Sequence, residues 1–387
     1  MMVCGPEGLL ASLSSCRRVE GFTHNFYSYP ARFSPQLARE VILEFSNEHD
    51  WVIDPFMGGG TTIVEALASG RKALGIDINP LSHFVSEVKT RPLSPRDQEE
   101  ILVWADQCGS QLLPANSSRV DDPRLKNMPN EVLEVMLQAV SGIDRLQFRR
   151  QRRFARCALL KLGQWAVDCR KDVGAAADIR KRLSKQVVEM FVGLEELQEA
   201  ARKRGIPKNK MTGGRILCLG PSEKAMRSII LVGCHPRPRL VLTSPPYPGV
   251  HVLYHRWQVK GRRETPAPYW LADLRDGHRA SYYTLGSRTP FGLRNYFTRI
   301  KEIYGVLREY IHPNAMVVQL IAFSDPSTQV PAFLDAMIAA GYEELTPLAS
   351  QSAVRPSRRV PNRKWYTQSA ENAHCSNEIL LFHRPHG

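Results

Sequence analysis

The stretch WVIDPFMGGGTTIVEALASG at residues 51–70, followed by KALGIDI at residues 72–78, decides the fold of this chain. Its first residues form a short apolar strand, and a glycine-rich turn joins that strand to an apolar helical segment ending near Gly70. A second apolar strand follows directly. A strand, a helix and a second strand in this order predict the start of a doubly wound α/β domain with a parallel sheet.

Outward from this unit, the alternation of strands and helices is interrupted by a long helical stretch. Residues 94–205 show helical periodicity and almost no strand-like run. Beyond them, the chain is predicted to form strands at 215–220, 239–244, 315–323 and 377–384 and helices at 295–310 and 331–340. The pattern predicts a Rossmann-like α/β fold with helices on both faces of the sheet and a large helical insertion between its second and third strands. The predicted divisions are an N-terminal arm (1–20), a first core part (21–93), a basic helical insertion (94–214) and a second core part (215–387).

The composition excludes several classes of protein. Of the 387 residues, 43% are hydrophobic and 23% charged, as in a globular protein. No apolar run approaches the roughly 20 residues of a membrane-spanning helix, and the N-terminus lacks the leading basic region of a signal peptide, so no membrane association and a cytoplasmic location are expected. The eight cysteines form no CxxC pair. Neither a disulfide framework nor a metal site is therefore expected.

The positive charge predicts a polyanionic partner. The net charge is +14, and residues 145–215 hold 19 Lys and Arg against 7 Asp and Glu. A second basic stretch, RPSRRVPNRKWY at 355–366, contains no acidic residue. These regions are interpreted as a surface that follows a phosphate backbone, with the insertion as a possible target-recognition region. The alternative is that they are solvated helix faces and a loop.

The glycine-rich turn predicts a small-molecule site. Glycines let the backbone approach a ligand closely, and the first turn of the following helix offers unpaired N–H groups to a carboxylate. Ile63 stands where a dinucleotide fingerprint needs glycine, and no lysine follows as in a P-loop. Asp77, at the end of the second strand, is predicted to hold ribose hydroxyls, or alternatively to cap the following turn. Together these groups indicate a nucleoside joined to an amino acid, as in S-adenosylmethionine, although such turns also occur for purely structural reasons.

A second constellation, Ser244-Pro245-Pro246-Tyr247, follows the strand at 239–244 directly. Prolines fix the backbone and remove N–H donors, so the segment presents acceptors. An aromatic amine is a poor nucleophile because its lone pair is delocalised into the ring. Acceptors at its hydrogens, here Ser244 Oγ and the Pro245 carbonyl, favour a tetrahedral nitrogen, and Tyr247 can stack on a base taken out of a duplex. This chemistry predicts direct methyl transfer to an exocyclic amine.

One other methylation chemistry is excluded, and the role of several histidine and aromatic residues stays open. Methylation at cytosine C5 needs a cysteine nucleophile, usually after proline, and the chain has no Pro-Cys dipeptide. Five residues either line a target pocket or pack in the core, namely His24, His251, Tyr254, His255 and Trp257.

Three segments resemble the DNA amino-methyltransferase family, whose members make N4-methylcytosine and N6-methyladenine. Residues 54–61 resemble its DPFxGxGT cofactor loop, residues 244–247 match its [SDN]PP[YFW] catalytic motif, and HNFYSYPARF at 24–33 is similar to the segment that completes the methionine pocket. The order of the motifs is the unpermuted one. The resemblance implies a cofactor site formed by Tyr29, Pro30, Ala31, Phe33, Asp54, Pro55, Phe56, Gly58, Gly60, Thr61, Asp77 and Asn79, and a catalytic site formed by Ser244, Pro245, Pro246 and Tyr247.

The resemblance implies an S-adenosylmethionine-dependent DNA methyltransferase with the Rossmann-like sheet of that class. The serine form of the catalytic motif is usual in enzymes that modify cytosine N4, which makes that atom the first expectation. The alternatives are a DNA adenine-N6 methyltransferase, an RNA base amino-methyltransferase and a non-catalytic nucleic-acid-binding protein. DNA is the expected partner, together with a possible restriction or defence partner.

Overall fold

The structure is a computed structural model of the chain. It describes residues 6–15, 19–28, 34–110, 121–228, 236–249, 256–260, 263–275, 285–346, 355–361 and 375–387. The strands within these ranges are β1 (Trp51–Asp54), β2 (Lys72–Asp77), β3 (Arg215–Leu219), β4 (Leu240–Thr243), β5 (Trp257–Val259), β6 (Arg263–Thr265), β7 (Met316–Ile321), β8 (Tyr342–Leu345), β9 (Ser357–Pro361) and β10 (Cys375–Pro385).

The central sheet has the strand order β3-β2-β1-β4-β7-β10-β8, and β9 pairs with β10. The strands β3, β2, β1, β4 and β7 are parallel, whereas β10 is antiparallel to β7, β8 and β9. The strand order reverses at the β1–β4 pair, because β1 is followed in sequence by β2 on one side and much later by β4 on the other. In such sheets ligands bind beyond the carboxyl ends of the strands at this switch point.

Helices cover both faces of the sheet. Their bounds are α1 (Pro6–Ser14), α2 (Pro35–Phe45), α3 (Thr61–Ala68), α4 (Pro80–Lys89), α5 (Pro95–Gly109), α6 (Asn130–Ile143), α7 (Arg149–Val167), α8 (Ala176–Lys203), α9 (Lys208–Met211), α10 (Ser222–Met226), α11 (Ala267–Leu271), α12 (Pro290–Tyr310) and α13 (Pro326–Ala339), with 3-10 turns at His24–Phe26 and Pro123–Leu125. One apolar cluster joins α2 and α3 to one side of the sheet, and another joins α12 and α13 to the other side. The predicted Rossmann-like architecture is confirmed.

Local sequence signals fix several helix starts. Ser34 caps α2 by accepting a hydrogen bond from Leu37 N, and Pro35 occupies the first position of the helix, which are preferred places for these residue types. The predicted start of α12 at residue 295 is wrong, because Thr289 caps the helix and Pro290 begins it. The predicted start of α13 at residue 331 is also late. Asp325 caps that helix and Pro326 begins it, and Pro331 is tolerated inside.

The helical insertion lies between β2 and β3, as predicted, and consists mainly of α5 to α8. Its apolar core is continuous with residues far away in the sequence, including Phe26, Trp257 and Tyr269. Several of its arginines are neutralised internally, for example Arg150 by Asp97. The further pairs of this kind are Arg153 with Glu87 and Arg180 with Glu134. The division into four parts and the recognition role of the insertion stay predictions. Among the helices of the described ranges, none is long and apolar enough to cross a bilayer.

Candidate active site

Asp54 joins the two predicted motifs at the switch point. It is the last residue of β1, and its buried carboxylate accepts hydrogen bonds from Thr62 Oγ1 at 2.8 Å and from Thr243 Oγ1 at 2.6 Å. Thr62 lies in the helix after the glycine turn, and Thr243 directly precedes Ser244. Burial is the largest cause that raises the pKa of Asp54, to about 6, and these hydrogen bonds oppose it. One carboxyl group therefore connects the helix that follows the glycine turn to the corner at 244–247.

The glycine turn needs glycine for steric reasons. Gly58 and Gly60 have φ values of +47° and +75°, a region that residues with a side chain rarely adopt. A Cβ on Gly60 would lie 2.5 Å from Ser86 Oγ, so α4 packs directly against the turn. Two side chains of α4 hold the carbonyl groups of the turn. Ser82 Oγ donates to Gly58 O at 2.5 Å, and the buried Lys89 Nζ donates to Gly59 O at 2.7 Å.

The remaining predicted residues of this turn surround it. Thr61 is buried as the first residue of α3, and Phe56 is half-buried with its N–H donating to Asp54. The carbonyl of Pro55 accepts a hydrogen bond from Ser222 Oγ at 2.5 Å, and this bond ties α10 to the turn.

Asp77 ends β2 beside the turn. Its half-buried carboxylate accepts from Gly58 N and from Asn79 N, both at 2.8 Å, so it does cap the following turn. Burial is the largest cause that raises the pKa of Asp77, and these backbone hydrogen bonds oppose it. A carboxylate offers about four acceptor positions, which leaves capacity for ribose hydroxyls. Asn79 is the N-cap of α4 and accepts from Leu81 N, so its side chain has a structural role.

An apolar residue missed by the sequence analysis lies beside Asp77. Leu219 ends β3 opposite Asp77, and its side chain is 54% exposed at the edge where the ligand crevice of such a sheet lies. The next residue, Gly220, faces open space. An exposed leucine beside an acceptor carboxylate suits the planar apolar face of a nucleobase above its ribose. The available signal was an apolar residue at the very end of a strand, directly before Gly-Pro.

The corner at 244–247 has its own hydrogen bonds. Ser244 Oγ lies 3.1 Å from Tyr247 OH, and Tyr247 OH donates to Leu320 O at 3.4 Å. A hydroxyl oxygen has two lone pairs, so Ser244 Oγ keeps at least one for an outside donor whichever of the two hydroxyl groups donates. Pro245 is buried, whereas Ser244, Pro246 and Tyr247 are half-buried and reachable.

The turn and the corner lie together. β1 and β4 are adjacent parallel strands with Ile53 opposite Val241, so the segments that follow them emerge at the same edge of the sheet. The Thr243–Asp54 hydrogen bond confirms that proximity. A cofactor on the turn and an amine at the corner would therefore meet across one crevice.

Other predicted positions fall elsewhere. Tyr29, Pro30, Ala31 and Phe33 lie outside the described residues, as do His251, Tyr254 and His255. His24 is buried, with Nε2 lying 2.7 Å from Glu65 Oε1. Glu65 is fully buried on α3 and also accepts from Arg39. Burial is the largest influence on this carboxyl and opposes its ionisation, but the interactions with His24 and Arg39 outweigh it and lower the pKa of Glu65.

Trp257 packs in the core, with its Nε1 donating to Tyr27 OH at 3.2 Å. The interpretation that these side chains pack in the core is therefore correct for both Trp257 and His24.

A Rossmann-like sheet with a glycine turn and an acceptor-rich corner at its switch point defines a class of proteins that bind a nucleoside cofactor next to a second substrate. Residues 12–85 match the family model N6_N4_Mtase, described as DNA methylase. Residues 12–85, about a fifth of the chain, therefore resemble this family of N6/N4 amino-methyltransferases. The match includes the glycine turn and Asp77 but ends well before the corner at 244–247.

Three named proteins are similar to short stretches of this chain. Type II methyltransferase M.MvaI from Kocuria varians is 47% identical over 76 residues, which are 19% of this chain and 17% of that protein. Type II methyltransferase M.MjaII from Methanocaldococcus jannaschii is 36% identical over 80 residues, which are 21% and 15%. DNA adenine methyltransferase YhdJ from Escherichia coli is 42% identical over 62 residues, which are 16% and 21%. The similarity thus spans no more than about a fifth of the length of these relatives.

Proposed function

We propose that this protein is an S-adenosylmethionine-dependent DNA methyltransferase that modifies an exocyclic amino group, with cytosine N4 as the first candidate. The observation that carries the proposal is the meeting of the glycine turn and the Ser-Pro-Pro-Tyr corner on adjacent parallel strands, joined through Asp54. The relatives named as Type II methyltransferases support DNA as the substrate and a cognate nuclease as a possible partner.

The residues at the turn fit the cofactor. Left-handed glycines without side chains leave the backbone of the turn open to close approach. Asp77 has acceptor capacity for ribose hydroxyls, and Leu219 offers an apolar surface beside it. Tyr29 and Phe33, with their neighbours Pro30 and Ala31, are proposed to complete the methionine end. S-adenosylmethionine supplies an electrophilic methyl group on its sulfonium.

The corner would activate the amine. Ser244 Oγ and the Pro245 carbonyl accept hydrogen bonds from the two amine hydrogens, which localises the lone pair on nitrogen. Tyr247, braced by its hydrogen bond to Leu320, presents its ring to the base. With the cofactor bound, the amine held by Ser244 and Pro245 would take the methyl group in one displacement, S-adenosylhomocysteine would be the leaving group, and one amine proton would pass to water. Positioning of the reactants is the main catalytic contribution, because no covalent enzyme intermediate is needed.

A second candidate is methylation of adenine N6. One relative, 42% identical over 62 residues, is named as a DNA adenine methyltransferase, and the same acceptors serve either amine. An RNA base remains an alternative substrate, because RNA bases carry the same amino groups.

The test is expression of the protein in a host that lacks DNA methylation, followed by mass spectrometry of digested DNA and RNA nucleosides. N4-methylcytosine in DNA, absent when Ser244→Ala is expressed to the same level, is the expected result. N6-methyladenine would select the second candidate. Methylation confined to RNA, or no methylated nucleoside above the Ser244→Ala control, would overturn the proposal.

A further inference from the structure

We propose that Phe291 is a wedge that enters duplex DNA beside the active site and fills the space of the extruded base, while the basic residues around it hold the phosphates. This inference rests on the proposed function and names the surface that receives the duplex. The proposed surface consists of residues 285–301, for which the sequence predicted no function.

The start of α12 lies against the catalytic corner. Gly249, two residues after Tyr247, donates its N–H to Gly286 O at 2.7 Å. A Cβ on Gly249 would lie 2.3 Å from Arg288 Cγ, so the two segments are in contact. The other end of α12 lies at the amino edge of the sheet. There His312 N, two residues after the helix, donates to Pro238 O, which precedes β4. The first turn of α12 therefore lies at the carboxyl edge, where the crevice opens.

Phe291 is exposed without a packing role. Its side chain is 66% exposed in the first turn of α12, and the guanidinium carbon of Arg294 lies 5.9 Å from its ring centre. An exposed phenyl group is unfavourable in water, and an apolar residue beside an active site is typical of a binding surface.

The charge around Phe291 complements a duplex. Residues 285–301 contain four basic residues and no acidic residue. Within the ranges that the structure describes, no carboxylate pairs with Arg288, Arg294, Arg299 or Lys301. All four side chains are exposed, and the first acid along the helix is Glu302. This contrasts with Arg150, Arg153 and Arg180 of the insertion, each of which has a carboxylate partner.

Helical spacing places Phe291 and two of the basic residues on one face of α12. Phe291, Arg294, Thr298 and Lys301 are three or four positions apart, so they form one stripe along α12 that leads away from the corner. Extrusion of a base leaves a gap in the stack, and an inserted apolar side chain restores part of the lost stacking. Arginine and lysine on either side then contact the phosphates and release counterions. A duplex lying along the stripe would bring its extruded base to Tyr247.

The experiment compares the full-length wild type with Phe291→Ser, Phe291→Leu and the matched control Ile338→Ser. Ile338 is 65% exposed on α13, so its substitution controls for removal of an equally exposed apolar group. The readouts are the initial rate of methyl transfer to unmethylated plasmid duplex, the dissociation constant of the cofactor, and the affinity for duplex as a function of salt.

Phe291→Ser is expected to slow methylation of the duplex about tenfold, the effect of losing roughly one base-stacking interaction, with cofactor affinity unchanged. Phe291→Leu should recover most of the rate, and Ile338→Ser should equal the wild type. Arg294→Gln should lower the slope of log affinity against log salt by about 1. Wild-type rates in Phe291→Ser, or equal losses in Phe291→Ser and Phe291→Leu, would overturn the wedge.

Failure of the proposed function gives a different result. A wild type that transfers no methyl group to DNA overturns that function, and the salt-dependent duplex affinity then decides the surface alone. In that case an affinity reduced by both Phe291→Ser and Arg294→Gln, but not by Ile338→Ser, supports the DNA-binding surface. An affinity unaffected by all three variants overturns it.

Discussion

The two loops that meet at the switch point differ in how their polar groups are used. In the turn that follows β1, the Gly58 and Gly59 carbonyls and the Gly58 N–H all have partners in α4 or β2, which fixes its shape before any ligand arrives. In the corner that follows β4, prolines remove donors and the Ser244 oxygen keeps free acceptor capacity. If the proposed function is correct, the first loop holds the cofactor and the second acts on the substrate, so substitutions should separate binding from turnover.

The largest effect is expected for Ser244→Ala. Removal of an acceptor that acts mainly in the transition state should lower kcat by about 100-fold or more, by analogy with the loss of one stabilising group in other enzymes. The cofactor dissociation constant, measured by calorimetry, should not change. Ser327→Ala, an exposed serine on α13, is the control and should match the wild type. A weaker cofactor affinity in Ser244→Ala would mean that the corner also shapes the cofactor site.

Tyr247→Ala should come next. Loss of a base-stacking ring costs about 1–3 kcal/mol, which corresponds to a rate reduced by roughly one to two orders of magnitude. Tyr247→Phe keeps the ring but removes the hydroxyl group beside Ser244, and it should lose much less activity. Steady-state kinetics at saturating cofactor give both values. Equal losses in the two variants would assign the effect to the hydroxyl group rather than to stacking.

Asp77→Ala should act on binding alone. Loss of a charged acceptor for ribose, together with weaker support of Gly58, should raise the cofactor dissociation constant about tenfold or more. The value of kcat at saturating cofactor should stay near that of the wild type. Asn79→Ala removes only a helix cap, and so it should lower thermal stability with little change in affinity. An unchanged dissociation constant in Asp77→Ala would remove this residue from the pocket.

The smallest effect is expected for Asp54, whose carboxylate accepts hydrogen bonds from Thr62 and Thr243. Because burial raises its pKa from 3.8 to about 6, the native state binds a proton more tightly than the unfolded chain does. The free energy of unfolding should therefore fall as pH rises from about 4 to about 6, with the full loss present above that interval. Asp54→Asn cannot ionise, so its stability curve should lack this component. Urea denaturation across this pH range measures both proteins, and parallel curves would contradict the assignment.

The sequence identified the local elements of the site but not how its second half is assembled. Strand, glycine turn and helix at 51–70 are local patterns, so the turn and Asp77 were predictable. The pairing of β1 with β4 joins residues about 190 positions apart, and no local signal encodes it. Only the resemblance to a family suggested that the two motifs meet.

The density of basic residues in the sequence was a poor guide to where positive charge is left without a carboxylate partner. Residues 145–215 have a strong basic excess, yet Arg150, Arg153 and Arg180 pair with carboxylates that lie far away in the sequence. The shorter basic segment at the start of α12 was not predicted to be helical, because Gly292 is unfavourable inside a helix and interrupts the helical pattern there. Its position beside the corner becomes visible only through the Gly249–Gly286 hydrogen bond.

The continuous core of the helical insertion limits how this protein can be altered by recombination. A Cβ on Gly163 of α7 would lie 2.4 Å from Trp257, so a helix of the insertion and a strand of the second core part interlock at a position that tolerates no side chain. Replacing residues 94–214 with the corresponding piece of a relative would leave Trp257 and Tyr269 against a foreign surface. We therefore expect a stable chimera to need the segment 257–272 together with the insertion.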